Sequence, residues 1–191
     1  MIVFPNEEKY MKCTQILEQE HSIILEVLLK MEQSLIEPFK ISNNEYQLFF
    51  EFIKEYADEF HHKKEEELYF KWIIKKNPGL EFGPIACMLK EHEEGRGYIN
   101  SAEEALKTDN VELVKTSIKS FIELLRAHID KENTVLYKMA DSINEQTQDG
   151  DLELMPEFER VNKTLSKTPV KFGVKDPLNK EESTSCCGHC S

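Results

Sequence analysis

From about Asn6 to Asp141 the apolar residues recur at intervals of three and four, and glycine or proline interrupts them only at wide spacing. That period belongs to the α-helix, not to the alternation of a strand. It predicts four long helices. The first carries Ile16, Leu17, Ile24, Leu25, Leu28, Leu29, Leu35 and Ile36 on one face and stops at Pro38. The second opens at Ser42 or Asn43, an N-cap with Glu45 in the first turn. It runs through Phe49, Phe52, Ile53, Tyr56 and Phe60 to Trp72, and Asn77-Pro78-Gly79 ends it. The third starts near Gly83-Pro84, includes Met88 and Leu89, and fades after Leu106. The fourth opens at Thr108 or Asp109 and includes Val114, Ile118, Phe121, Ile122, Leu125 and Met139. Short connections between such helices imply an all-α chain, an antiparallel up-down four-helix bundle with a short extra C-terminal helix and a flexible tail.

The domain limits follow from composition. Residues 1–145 form the bundle, and 146–165 a short helix docking on it through Leu152, Leu154, Phe158 and Val161. Residues 166–191 are a polar tail ending in Cys186-Cys187-Gly188-His189-Cys190. With Cys13 and Cys87 the cysteines number five, an odd count crowded at one end, which does not suit a disulfide framework. Reduced thiols and a cytoplasmic address are the expectation. Acidic residues outnumber basic ones 36 to 24, so a net charge of -12 repels nucleic acid and anionic membranes. No apolar run approaches the roughly 20 residues that cross a bilayer, and the start MIVFPNEEKYMK lacks the pattern of a secretory signal.

Five of the six histidines fall in the four helices, with at least one in each. Their phase carries the argument. His21 has Leu17, Ile24, Leu25 and Leu28 on its face; His92 has Ile85, Met88, Leu89 and Ile99. His128 follows Phe121, Leu124 and Leu125 and precedes Val135 and Met139. In the second helix His61 shares a face with Ile53, Ala57, Leu68 and Trp72, whereas His62 follows Glu51, Glu55, Asp58 and Glu59. Adjacent residues point about 100° apart, so His61 reads as inward and His62 as solvated.

Two of the inward histidines have a carboxylate four residues on, Glu65 after His61 and Glu132 after His128. Residues at i and i+4 converge on one point in front of a helix. Either pair alone is an ordinary surface ion pair; inward phase in all four helices makes them a candidate centre of four imidazoles and two carboxylates. Glutamates inside an apolar core cost several kcal/mol each unless cations compensate. A mixed nitrogen and oxygen set suits iron or manganese better than structural zinc, and six donors suit two metals better than one. A ferritin-like site built from Glu18…His21 and Glu59…His62 needs glutamates on the other helices, where Leu89 and Leu125 stand instead.

At Glu20-His21, His61 to Phe70, Gly83 to Arg96 and His128-Ile-Asp-Lys-Glu132-Asn, the chain resembles the hemerythrin-like, or HHE cation-binding, family over about residues 14–140. The resemblance implies a four-helix bundle around a non-haem di-iron centre, with His21, His61, Glu65, His92, His128 and Glu132 as metal ligands. It also implies a further histidine one turn after His92. Arg96 stands there and cannot coordinate at neutral pH, which leaves a position open for a small molecule, with Arg96 near enough to steady an anionic one. The expected function is reaction with, or sensing of, oxygen, peroxide or nitric oxide. The alternative is a non-enzymatic iron-sensing module acting on a protein partner through Cys186, Cys187, His189 and Cys190.

Overall fold

The computed structural model describes residues 12–36, 41–147 and 150–162. Every element among them is helical, and the helices assemble as a bundle around two apolar clusters. None is long and apolar enough to cross a membrane. The C-terminal cysteine motif, Pro38 and Leu152's side chain lie outside the described residues.

The first helix, α1, spans Cys13–Ile36. It buries Leu17, Ile24, Leu28 and Leu35, as its period requires, but Leu29 and Ile36 are exposed. The buried arc is wide enough to hold the adjacent pairs Ile16-Leu17, Ile23-Ile24 and Val27-Leu28, and at about 100° per residue Leu29 and Ile36 fall beyond its edge. Leu89, next to buried Met88, is exposed for the same reason.

The second rod begins as α2 (Asn43–Phe52). Ser42 caps it: its side chain accepts from the Glu45 amide, while the Glu45 carboxylate accepts from the Ser42 amide at 2.7 Å. The rod then widens into a π-helix over Ile53–His62 and a second over Glu65–Tyr69, and returns to α3 (Phe70–Lys76). A kink at Gly83 leads into α4 (Ala86–Lys107). The last long rod starts at Asn110, not at Thr108 or Asp109 as expected. Asn110 accepts the Leu113 amide and caps α5 (Val111–Lys131). Asp109, with φ of 55°, instead belongs to the turn that closes α4, where the Asn110 amide reaches back to the Ala105 carbonyl.

This rod also carries a π turn, Glu132–Leu136, before α6 (Tyr137–Thr147). One additional residue per turn shifts the inward face by one position. Val135 and Met139, which α-helical phase turns inward, are therefore 49% and 38% exposed, while Leu136 and Ala140 are buried in their place. The π turn at Glu65–Tyr69 does the same in the second rod. Leu68 is half-buried and Tyr69 takes its core position, while Trp72 is buried as expected, beside Ile73. Helix α7 (Gly150–Asn162) buries Leu154 and Phe158 against Tyr69, Trp72 and Ile73.

Candidate metal centre

The π turns fall where the chemistry is. His61, His62, Glu65 and Glu132 all lie in them, while His21 comes from α1, His92 from α4 and His128 from α5. All seven are buried. Their donor atoms form two groups, each within 4.8 Å: His21, His61, Glu65 and Glu132, and His62, Glu65, His92 and His128. The six residues singled out by phase all enter these groups, and Glu65 belongs to both.

His62 is the correction. It is 6% exposed instead of solvated, and its ring stacks on His92 with centroids 3.9 Å apart. The wider π turn brings both members of the His61-His62 pair off the solvated face. Neither His62 ring nitrogen has a hydrogen-bond partner; the nearest carboxylate oxygen, Asp58 Oδ1, is 3.5 Å from Nδ1.

Four imidazoles are held from behind. Nδ1–H of His21 donates to Asn133 Oδ1 at 2.7 Å, and that of His61 to Glu20 Oε2 at 2.8 Å. His92 donates to Glu66 Oε1 at 2.7 Å and His128 to Glu91 Oε2 at 2.9 Å. Three carboxylates and an amide oxygen accept only, so they fix the Nδ1–H form of each ring and aim an Nε2 lone pair inward. The consequence is unfavourable without a cation. Nε2 of His21 and His61 face each other at 2.8 Å, and those of His92 and His128 at 3.0 Å. Glu132 Oε2 lies 3.2 Å from Nε2 of both His21 and His128 without hydrogen-bond geometry, and Glu65 Oε2 and Glu132 Oε1 are also buried and unpartnered. Lone pairs and carboxylate oxygens crowded in this way are the inner face of a cation site. Imidazole and carboxylate donors without thiolate suit a transition-metal cation.

The electrostatics agree. Burial, with the neighbouring Glu132 charge, pushes Glu65 well above the ordinary carboxylate range. Burial acts on Glu132 too, but His128 and His21 draw it well below. Burial holds His61, His62 and His92 neutral by lowering each below the usual imidazole value. It would lower His128 as well, but the Glu132 carboxylate outweighs it and raises that ring.

Outside this layer Tyr137 donates its hydroxyl to Glu65 Oε1 and stacks on His21 with centroids 5.6 Å apart. Lys64, fully buried, pairs with Glu20, sits 3.7 Å over the Phe60 ring and donates to Asn162 Oδ1 of α7 at 3.1 Å. Arg96 does not turn to the centre. Its guanidinium donates to Asp58 at 2.7 and 2.9 Å, to Glu66 at 2.8 Å and to Glu93, so its charge is matched by carboxylates instead of offered to a bound anion. Through Glu66 it steadies His92. Glu20, Glu66, Glu91 and Asn133 were not singled out from sequence, because each meets a ring on another helix and leaves no mark at i+4.

A buried set of five histidines and two glutamates, one of them common to both donor groups, inside a helical bundle defines a helical cation-binding domain. Residues 14–140 match the hemerythrin HHE cation-binding domain, two thirds of the chain, and the chain belongs to that family. No curated protein and no solved structure matches it.

Proposed function

We propose that the chain is a non-haem di-iron protein that reacts with, or senses, a small oxidant ligand: oxygen, peroxide or nitric oxide. The observation that carries this reading is the double confrontation of imidazole Nε2 atoms at 2.8 and 3.0 Å around unpartnered Glu65 and Glu132 oxygens. His21, His61, Glu65 and Glu132 would hold one iron; His62, Glu65, His92 and His128 would hold the other. A pair of irons supplies Lewis acidity and redox equivalents when bound. The chain supplies the rest. Asn133, Glu20, Glu66 and Glu91 orient the rings, Tyr137 fixes one oxygen of Glu65, and the apolar clusters on either side keep bulk water out. The short connections between rods support an antiparallel up-down order, which would bring donors from all the long rods to one level.

Elemental analysis after anaerobic reconstitution, followed by mixing the reduced protein with oxygen, hydrogen peroxide and nitric oxide, tests the proposal. Two irons per chain and an optical change with at least one ligand are expected, and both are lost in the His92→Ala, Glu132→Ala double variant. A chain that takes up no iron, or an iron-loaded chain silent to all three ligands, overturns it.

A further inference from the structure

A cavity of about 170 Å³ opens onto one side of the centre only. His62, His92 and His128 line it, whereas His21, His61, Glu65 and Glu132 do not. Ile53, Ile99, Phe121, Leu124 and Leu125 supply apolar wall, and Gly95 leaves room where any side chain would stand. We propose that this cavity seats the apolar body of a small organic ligand, up to one aromatic ring in size, whose single oxygen donor meets the metal at the His62 side. This rests on the di-iron reading and extends it from oxygen, peroxide and nitric oxide to an organic ligand.

Three observations support the proposal. An apolar cavity of roughly 150 Å³ accepts benzene, so this one exceeds what a diatomic ligand needs. Apolar walls with a single convergent polar point suit a small-molecule site, and here that point is the cation that His62, His92 and His128 would hold. His62, more than nine-tenths buried, has both ring nitrogens without a hydrogen-bond partner and lies on the cavity wall. The two cations lining the cavity, Arg96 and Lys54, are matched by Asp58, Glu66, Glu93 and Glu103, so apart from the metal the site offers no free charge to a strongly anionic ligand. The organic molecule is therefore neutral or weakly acidic, of the phenol class.

Gly95 is the control point. A Cβ there would stand 3.4 Å from Phe121 and 3.8 Å from Leu124, so a longer side chain must project into the open space. The experiment uses the full chain loaded with ferric iron, titrated with 4-fluorophenol and separately with azide. The phenol is followed by its fluorine NMR line and by the visible band that phenolate gives on ferric iron. Gly95→Leu, and the half-exposed Leu124→Phe as a second plug less prone to misfold, are measured alongside. The expected result is phenol binding that weakens at least about tenfold in both plugged variants while azide binding changes much less. Azide binding without phenol binding overturns the proposal and leaves the di-iron reading standing, as does phenol binding that neither plug affects. A chain that holds no iron overturns the di-iron reading, and this proposal falls with it.

Discussion

Replacing Lys64 by Met removes a positive charge from a fully buried place. The Lys64 and Glu20 side chains are both fully buried and form an ion pair. Removing one partner of such a pair costs about 3–5 kcal/mol, because the remaining charge is stranded, whereas removing both is often nearly neutral. Glu20 would keep the His61 Nδ1–H bond at 2.8 Å, which puts Lys64→Met at the lower end, about 3 kcal/mol. For a chain of this length 1 kcal/mol moves the melting temperature by about 2–4 °C, so a fall of about 6–12 °C is expected. Glu20→Gln added to Lys64→Met neutralises the stranded carboxylate and keeps an oxygen to accept from His61. The double variant should recover most of the loss. Urea unfolding and thermal melts of the two variants measure this. A Lys64→Met cost below about 1 kcal/mol, or a double variant no more stable than the single one, refutes the reasoning.

Tyr137→Phe takes the hydroxyl donor from Glu65 Oε1. An unsatisfied buried acceptor costs about 1–3 kcal/mol, and chelator-treated protein should show that loss more fully than iron-loaded protein, in which the cation also compensates the carboxylate. Equal losses in both forms would contradict the placement of Glu65 at a cation site. Burial favours the neutral form of Asp58, but the neighbouring His62 ring and the Arg96 guanidinium outweigh it and hold the carboxyl at about 2. A depressed native value means that the folded state binds fewer protons, so the stabilisation is complete above the ordinary value of 3.8 and disappears as pH falls toward 2. After screening at this partly exposed site it amounts to about 1 kcal/mol. Asp58→Asn should cost that much at pH 7 in urea unfolding and progressively less below pH 4; a cost that persists unchanged at pH 3 argues against the ion pair as its source.

Much of the centre was legible because α1, α4 and α5 are regular α-helices up to the residues that matter. Phase therefore placed His21, His92 and His128 correctly in the interior. Leu29 and Ile36 lie beyond the edge of the buried face of α1, whereas His62, Val135 and Met139 depart from helical phase at or beyond a π turn. His62 seemed solvated after four acidic neighbours, and Val135 and Met139 seemed inward, because phase was counted at one period throughout. The capping box at Ser42 and Glu45 was readable, being local. Glu20, Glu66 and Glu91 were not, since an acid that braces a ring from another helix resembles any acid on a solvated face. Arg96 marks the same limit. Its type excluded coordination, yet its partners Asp58 and Glu66 come from a different rod.

The three π segments that carry His61, His62, Glu65 and Glu132 have one more consequence. Removing a single residue between 133 and 136 would let the turn tighten to an ordinary helix. Everything downstream would then swing by about one position, Tyr137 would lose its reach to Glu65, and Leu136 and Ala140 would turn outward, although Glu132 itself stayed in place. The wide turns thus act as spacers that reconcile two demands in one rod, carboxylates at the depth the cations need and grease at the depth the core needs.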